Sequence, residues 1–294
     1  MQTLIEKGVK VQMCVTSPPY WGLRDYGHPK QIGLEKTPEE YTLNMVEVFR
    51  LVKELLTDDG TLWLNLGDSY SGGGRGGDPK HVKADNSASS TMESYKGMPP
   101  KNLIGIPWRV AFALQADGWI LRSDIIWSKP NAMPEPVTDR PTNAHEYIFL
   151  LAKKNKYYYD SNAIKEPYTE PMNRWGGNKL KATGESVWDE GTGQQTYRTR
   201  NMRPDENGRN RRSVWEINTR PCKEAHFATF PLDLIYLCIL AGSRRGDIIL
   251  DPFIGSGTTG EACERLGRKW IGCELNEKYE PIFKKRTAQA GLGI

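Results

Sequence analysis

Short apolar runs and amphipathic segments alternate along most of this chain. Apolar side chains recur at helical spacing at Tyr41, Met45, Val48, Val52 and Leu55. The preceding Thr-Pro-Glu-Glu sequence at 37–40 is typical of a helix start, with a capping threonine and a proline in the first helical position. This pattern predicts a helix that ends near Gly60.

The same alternation continues along the chain. Further helices are predicted at 107–116, 231–242 and 258–266 and at the end of the chain. Strands are predicted at 10–16, 61–66, 146–151, 247–250 and 269–274, and a further strand is predicted to end at Trp127. Strands separated by helices favour a mainly parallel sheet with helices on both faces. The sequence therefore predicts an α/β fold with six strands.

Composition narrows the class of protein. The chain has 294 residues, a mean hydropathy of −0.61 and no long apolar run, and its first residues lack a signal-peptide pattern. We therefore expect a soluble cytoplasmic protein without a membrane partner. The five cysteines are scattered, which indicates neither a disulfide framework nor a metal site.

A glycine-rich motif, DPFIGSGTTG at 251–260, lies between a predicted strand and a predicted helix. Its glycines let backbone amides approach a ligand that a Cβ atom would exclude. Glu274 ends the next predicted strand, where a carboxylate can accept hydrogen bonds from two ribose hydroxyls. Taken alone, the motif is compatible with NAD, FAD, S-adenosylmethionine or a tight turn that binds nothing.

A second motif, TSPPYW at 16–21, directly follows the first predicted strand. Pro18 and Pro19 have a fixed φ and no N–H, so their carbonyls can act as acceptors in a stiff loop. A plain strand-end turn would also explain two prolines. The position after an apolar strand, with a cofactor motif downstream, favours a catalytic loop.

The two motifs, in this order, resemble those of S-adenosylmethionine-dependent DNA amino-methyltransferases of the β order, which methylate cytosine N4 or adenine N6. The resemblance covers nearly the whole chain. It implies a circularly permuted Rossmann-like methyltransferase fold of six or seven strands, because only about twenty residues follow Glu274 and the remaining strands must lie upstream. The implied regions are a catalytic half at 1–160, a target-recognition region at 161–215 and a cofactor-binding half at 216–294.

The resemblance also implies roles for individual residues. The catalytic residues are Ser17, Pro18, Pro19 and Tyr20. Ser17 and the Pro18 carbonyl would accept the two amine hydrogens, and Tyr20 would stack on a flipped-out base. The residues implied to bind S-adenosylmethionine are Phe230, Asp251, Pro252, Phe253, Gly255, Ser256, Gly257, Thr258 and Glu274. Asp251 would meet the ammonium group of the cofactor.

Other segments also resemble the same family, but the resemblance implies less about their roles in the reaction. Asp68, in LNLGDSY at 64–70, is expected to position the base or its loop. The segment 128–151 resembles the border of the base pocket. Within it, Asn131, Arg140 and His145 are expected to make structural hydrogen bonds.

The polar middle of the chain is basic. Residues 172–212 contain nine Lys or Arg against five Asp or Glu, interleaved with aromatic residues, a mixture suited to phosphate contact and base stacking. A solvated surface insertion would have a similar composition. The residues expected to contact double-stranded DNA are Arg198, Arg200, Arg209, Arg211 and Arg212.

Two features depart from the family pattern. The chain has only about fifteen residues before SPPY, where relatives have a strand and an acidic residue over the cofactor adenine, so we expect an open adenine pocket or cover from a partner. The pair Pro221-Cys222 is found in the nucleophile motif of cytosine carbon-5 methyltransferases. The SPPY motif indicates methylation of an amine rather than of carbon 5, so a catalytic Cys222 is not expected.

The sequence thus predicts a site-specific DNA methyltransferase acting on cytosine N4, because serine at the first SPPY position is associated with the cytosine enzymes. Adenine N6 is the alternative target. A dinucleotide-dependent oxidoreductase and a non-catalytic DNA-binding protein of the same fold are remoter alternatives. Such a protein is expected to associate with the nucleoid of a prokaryote or to act in a phage-infected cell. A homodimer and a companion restriction nuclease are compatible with this interpretation, but the sequence does not identify them.

Overall fold

The computed structural model describes residues 1–72, 98–167, 208–220 and 230–291. The chain divides into two compact units, Met1–Tyr159 with Ser213–Ile294, and Asp160–Arg212. The sequence placed the inserted region at 161–215. Residues 213–215 belong instead to the first unit, because Val214–Glu216 forms a strand of its sheet.

The first unit contains seven strands and six helices among its described residues. The strands are β1 Val11–Thr16, β2 Leu56–Leu66, β3 Ile120–Ser128, β4 His145–Ala152, β5 Val214–Glu216, β6 Ile248–Asp251 and β7 Lys269–Gly272. The helices are α1 Gln2–Glu6, α2 Pro38–Leu55, α3 Ile106–Ala116, α4 Leu232–Gly242, α5 Thr258–Leu266 and α6 Glu280–Gly291. Single 3₁₀ turns occur at Asn162–Ile164, in the second unit, and at Glu277–Tyr279.

All seven strands form one sheet in the order β5-β3-β4-β2-β1-β6-β7. Four neighbouring pairs are parallel, and β4 runs antiparallel to both β2 and β3. The prediction of a mainly parallel α/β sheet is confirmed. The seventh strand, β5, was not predicted. It is three residues long, and so short an alternation of apolar and polar residues does not indicate a strand.

Three predicted boundaries were wrong. Helix α2 ends at Leu55, and β2 begins at once at Leu56 and includes Gly60. A register shift opposite Val11 and Met13 of β1 accommodates these extra residues of β2. Strand β7 ends at Gly272, so Glu274 lies two residues beyond the strand.

Helices cover both faces of the sheet. Tyr41 and Phe49 of α2 and Leu114 of α3 share a fully buried cluster with Leu62 and Leu64 of β2. On the other face, α4 approaches so closely that a Cβ on Gly242 would lie 2.8 Å from Trp63 Nε1. No described helix is long and apolar enough to cross a membrane.

Helix α6 packs on the start of α5. Gly257, at the amino end of α5, has φ 87°, and a Cβ built there would lie 2.6 Å from Phe283 Cβ of α6. The side chain of Arg286, one turn further along α6, donates to the hydroxyls of Ser256 and Thr258 at 3.1 and 3.0 Å and pairs with Glu261. The glycine turn is thus fixed from the side of α6.

Replacing Gly257 with alanine should therefore destabilise the fold by more than its backbone strain alone. Gly246 is a matched control, since it has the same φ of 87° but no heavy atom within 4 Å of a built Cβ. We expect Gly246→Ala to cost about 1 kcal/mol of unfolding free energy from the left-handed backbone. Gly257→Ala should cost roughly 1–3 kcal/mol more, from overpacking against Phe283. Urea unfolding measures both, and equal losses would contradict the packing argument.

Candidate active site

The two sequence motifs meet at one edge of the sheet. Strands β1 and β6 are parallel neighbours, with Met13 opposite Ile249 and Cys14 opposite Leu250. Their carboxyl ends therefore lie side by side and place the SPPY loop next to the glycine turn. Because β4 is antiparallel, its amino end reaches this same edge and brings Glu146 to it.

Tyr20 is held by its hydroxyl and by one side of its ring. The hydroxyl donates to Glu146 Oε2 at 2.6 Å and accepts from Asn65 Nδ2 at 2.5 Å. A Cβ on Gly67 would lie 2.6 Å from Tyr20 Cε2, so the absence of a side chain there is what admits the ring. Burial and the Glu146 carboxylate raise the pKa of Tyr20 well above its usual value. Tyr20 is therefore a neutral, fixed phenol.

Three polar side chains around Tyr20 were not among the predicted site residues. Asn65 lies on β2 and also donates to Glu146 Oε2 at 2.7 Å, and Lys129 pairs with Glu146 Oε1. Asn65 and Glu146 lie near the ends of β2 and β4, and Lys129 directly follows β3. A usable signal existed in HEYIFLLA at 145–152, where an acidic residue, Glu146, is the second residue of a strand that is apolar from Ile148 onward.

The two proline carbonyls differ in their surroundings. Pro19 O accepts a hydrogen bond from Tyr41 Oη of α2 at 2.9 Å, so this carbonyl is used by the fold. Among the described residues, no donor contacts the carbonyl of Pro18. Ser17 Oγ lies 3.3 Å from Tyr20 Oη. Ser17 Oγ and Pro18 O are therefore not engaged by the fold in the way that Pro19 O is, and the acceptor roles that the resemblance implies for them stay a prediction.

Most of the glycine turn is buried, but Phe253 and Gly255 are partly exposed. Gly255 has φ 49°, and a Cβ built there meets nothing closer than Phe253 O at 3.9 Å. Its N–H donates to Glu274 Oε2 at 2.9 Å, while Asn276 N donates to Glu274 Oε1 at 2.8 Å. The turn therefore offers open space bordered by a carboxylate, an arrangement that fits the ribose of a nucleoside cofactor.

Other predicted cofactor residues face the protein. Pro252 is buried, and the hydroxyls of Ser256 and Thr258 are engaged by Arg286, so these residues offer a ligand their backbone only. Glycine is needed at position 257 because a side chain there would collide with Phe283, so the missing side chain leaves no space for a ligand. Phe230 is partly exposed and directly precedes Pro231, the first residue before α4.

Asp251, for which the resemblance implies a contact with the ammonium group of the cofactor, is buried and hydrogen-bonded within the protein. Its side chain is 1% exposed, and it accepts hydrogen bonds from Thr16 Oγ1 at 2.5 Å, Thr259 Oγ1 at 2.6 Å and Phe253 N at 3.0 Å. Burial raises the pKa of Asp251 to about 6 in spite of these bonds. The carboxylate joins β1, the glycine turn and α5.

The remaining polar residues of the sequence analysis make structural contacts. Asp68 accepts from the backbone N–H groups of Gly105 and Ile106 and so caps α3, and burial raises its pKa. Asn131 exchanges hydrogen bonds with the Thr219 backbone. Arg140 pairs with Glu135 at 2.7 Å and covers the ring of Tyr70, and the ring of His145 packs edge-on against Tyr147.

In the part of the second unit that the structure describes, three arginines make hydrogen bonds within the unit. Arg209 Nε and Arg212 Nε donate to Glu166 Oε1 at 2.8 and 2.6 Å, and Arg211 Nε donates to Ile164 O at 2.9 Å. Although burial opposes it, the arginines at 209 and 212 hold the pKa of Glu166 below its usual value. Arg198, Arg200 and the Pro221-Cys222 pair lie outside the described residues.

Comparisons with known proteins show the family to which the chain belongs. A family described as DNA methylase matches residues 11–285, which include both motifs and every described strand. The chain belongs to the DNA methylase family.

Two curated relatives of this DNA methylase are similar to it over most of their own length. Type II methyltransferase M.SmaI of Serratia marcescens is 50% identical over 92% of this chain and 82% of its own. Type II methyltransferase M.Cfr9I of Citrobacter freundii is 47% identical over 94% of this chain and 81% of its own.

Two solved structures share the fold of this DNA methylase. The cytosine-N4-specific PvuII DNA methyltransferase has a TM-score of 0.61 and 18% identity, covering 96% of this chain and 82% of that one. A putative DNA modification methylase of Thermus thermophilus complexed with S-adenosyl-L-methionine has a TM-score of 0.58 and 22% identity, covering 100% and 94%. In the described part of the chain, no group of three or more His, Cys, Asp or Glu could hold a metal ion.

The raised pKa of Asp251 predicts a specific dependence of stability on pH. The folded carboxyl has a pKa of about 6 against 3.8 when unperturbed, so between these values the folded state binds the extra proton. Its contribution to stability is therefore complete below pH 3.8 and is lost as the pH rises to about 6, a loss of roughly 3 kcal/mol.

Asp251→Asn removes this titration, so the advantage of the parent over the variant should shrink as the pH rises from about 4 to about 6. Urea unfolding at several pH values measures it. Asp233→Asn is the control, because Asp233 is a half-exposed partner of Arg220. Parallel curves for the parent and Asp251→Asn would contradict the assignment.

Proposed function

We propose that this DNA methylase transfers a methyl group from S-adenosylmethionine to the exocyclic N4 amine of cytosine in double-stranded DNA. The observation that carries the proposal is the pairing of β1 with β6, which sets Ser17 and Tyr20 beside the open glycine turn. The cofactor and the target amine would both be held at this edge of the sheet. The methyl group would then pass directly from one to the other, in a reaction that depends mainly on their alignment.

The cofactor assignment rests on the glycine turn and on family membership. When bound, S-adenosylmethionine supplies a methyl group on a positively charged sulfur. The open space beside Gly255 would accept its nucleoside part, and Glu274 would accept hydrogen bonds from its ribose hydroxyls. Membership of the DNA methylase family favours this cofactor over the dinucleotides that the glycine motif alone would also allow.

The amine would be aligned by Ser17 and Pro18. A hydroxyl oxygen and a carbonyl oxygen each accept one amine hydrogen, which turns the nitrogen lone pair toward the methyl group and stabilises the positive charge that develops on nitrogen. Tyr20, fixed through its hydroxyl, would stack on the base after the base leaves the duplex. No covalent nucleophile is required, so Cys222 has no part in this scheme.

DNA contact is proposed for the unit Asp160–Arg212. Support comes from the excess of positive charge at 172–212. Within the described part of this unit, Arg209 and Arg211 hold neighbouring groups, and Arg212 has the more exposed side chain of the two arginines paired with Glu166. Arg209 and Arg211 would therefore shape the unit, and Arg212 is the better candidate for a phosphate contact.

Cytosine N4 is preferred to adenine N6 on the identity of Ser17. Serine at this position of the motif is associated with the cytosine enzymes, and the PvuII DNA methyltransferase of similar fold is cytosine-N4-specific. The names of the relatives as Type II methyltransferases favour a companion restriction nuclease.

Cofactor binding should depend on the open turn. Gly255→Val should abolish the close approach to the backbone, and Glu274→Gln should weaken binding of S-adenosylhomocysteine by roughly 1–3 kcal/mol through loss of charged hydrogen bonds. Gly246→Val is the control, because it introduces a similar backbone strain where no atom lies within 4 Å of the built Cβ. Isothermal titration calorimetry that finds the parent affinity in both site variants would exclude this cofactor site.

The target atom is identified by the modified nucleoside. Unmethylated plasmid and genomic DNA, incubated with the protein and labelled S-adenosylmethionine, should yield labelled N4-methyldeoxycytidine after digestion and mass analysis. Ser17→Ala should lower the yield sharply, since its acceptor matters most as the amine becomes charged. N6-methyldeoxyadenosine would overturn the choice of cytosine, and an unmodified digest would overturn the assignment as an active enzyme.

A further inference from the structure

We propose that Glu146 receives the amine proton through a relay formed by Ser17 and Tyr20. Glu146 would act through these two side chains as a positioning and proton-accepting residue. This inference rests on the proposed function, because the proton in question is the one that the amine loses as it is methylated.

The direction of the relay follows from the number of protons that each group carries. An ionised carboxylate can only accept, so Tyr20 gives its single hydroxyl proton to Glu146 Oε2 at 2.6 Å. The amide nitrogen of Asn65 can only donate, so it does not compete for that proton. Ser17 must then donate its own hydrogen to Tyr20 Oη, 3.3 Å away. The lone pairs of Ser17 Oγ are left to accept from an amine.

The position of Glu146 is fixed from several strands. Lys129, at the end of β3, pairs with Oε1 and lies 4.4 Å from the ring centre of Trp127. Asn65 of β2 donates to Oε2 at 2.7 Å. The Glu146 and Lys129 side chains are 16% and 18% exposed, so the ion pair is shielded but retains a path to solvent. A shielded pair keeps its geometry better than a surface pair does.

Two other carboxylates near this edge are unsuited to the task. Asp68 accepts from the backbone N–H groups of Ser69, Gly105 and Ile106. Asp251 is buried and accepts from Thr16 and Thr259. Neither has a hydrogen-bonded connection to Ser17 among the described residues, whereas Glu146 reaches Ser17 through one hydroxyl.

Atoms and electrons balance in the proposed step. The amine lone pair forms a bond to the methyl carbon while the carbon–sulfur bond breaks and its electrons remain on sulfur. As positive charge develops on the nitrogen in this same step, the nitrogen gives a proton to Ser17 Oγ. Ser17 passes its own hydrogen to Tyr20 Oη, and Tyr20 passes its hydrogen to Glu146 Oε2. Glu146 ends as a neutral carboxylic acid, which releases the proton to water between turnovers.

Glu146→Gln tests the relay, because glutamine can still accept a hydrogen bond from Tyr20 but is a far weaker base. We expect the single-turnover rate of methyl transfer to fall about 100-fold or more, while affinities for DNA and S-adenosylhomocysteine stay within about twofold. Glu135→Gln is the matched control, since Glu135 also pairs with a basic side chain, Arg140, and has no contact with Tyr20. A Glu146→Gln rate equal to that of Glu135→Gln would overturn the relay.

A double-mutant cycle separates a relay from a structural role. Tyr20→Phe keeps the ring and removes the hydroxyl, so it should interrupt the relay and lower the rate by a similar factor even if Glu146→Gln fails to fold. In the Tyr20→Phe background, Glu146→Gln should slow methyl transfer no further, because the connection is already broken. Independent, multiplying losses would overturn the proposal. Absence of methyl transfer by the parent protein would instead defeat the proposed function.

Discussion

One buried carboxylate joins the two distant parts of the chain on which the site depends. Asp251, at the end of β6, accepts a 2.5 Å hydrogen bond from Thr16, 235 residues earlier, and a 2.6 Å bond from Thr259 at the start of α5. Thr16 is the residue immediately before the SPPY loop. The ends of β1, β6 and α5 therefore meet at one side chain, which fixes the SPPY loop relative to the glycine turn.

The reversed direction of β4 also determines which side chains reach the candidate site. In an all-parallel sheet only carboxyl ends of strands reach the ligand-binding edge, and the amino ends lie opposite. Since β4 is reversed between β2 and β3, its first residues reach the same edge as the SPPY loop. That reversal brings Glu146 to Tyr20 and completes a polar cluster with Asn65 and Lys129.

Prediction from sequence succeeded where the physical signal is local. The threonine cap and helical repeat located α2, and glycine after an apolar run located the turn at Gly255. It failed where a role depends on a distant partner. The sequence around Gly257 does not predict contact with Phe283, and the sequence around Asp251 does not predict contact with Thr16. Glu146 reaches the site only because its strand, β4, runs antiparallel to its neighbours. The three-residue β5 is a strand because β3 offers it an edge, which no local pattern records.

The hydrogen bond from the Gly255 N–H to Glu274 has a thermodynamic consequence. The carboxylate accepts one hydrogen bond on each oxygen within the free protein, from Gly255 N–H at 2.9 Å and from Asn276 N–H at 2.8 Å, so its orientation is fixed before a ligand arrives. An ionised carboxylate has about four acceptor positions, so each oxygen can still accept from a ligand hydroxyl. A ligand with two neighbouring hydroxyls would therefore meet a pre-ordered acceptor, and little side-chain entropy of Glu274 would be lost on binding.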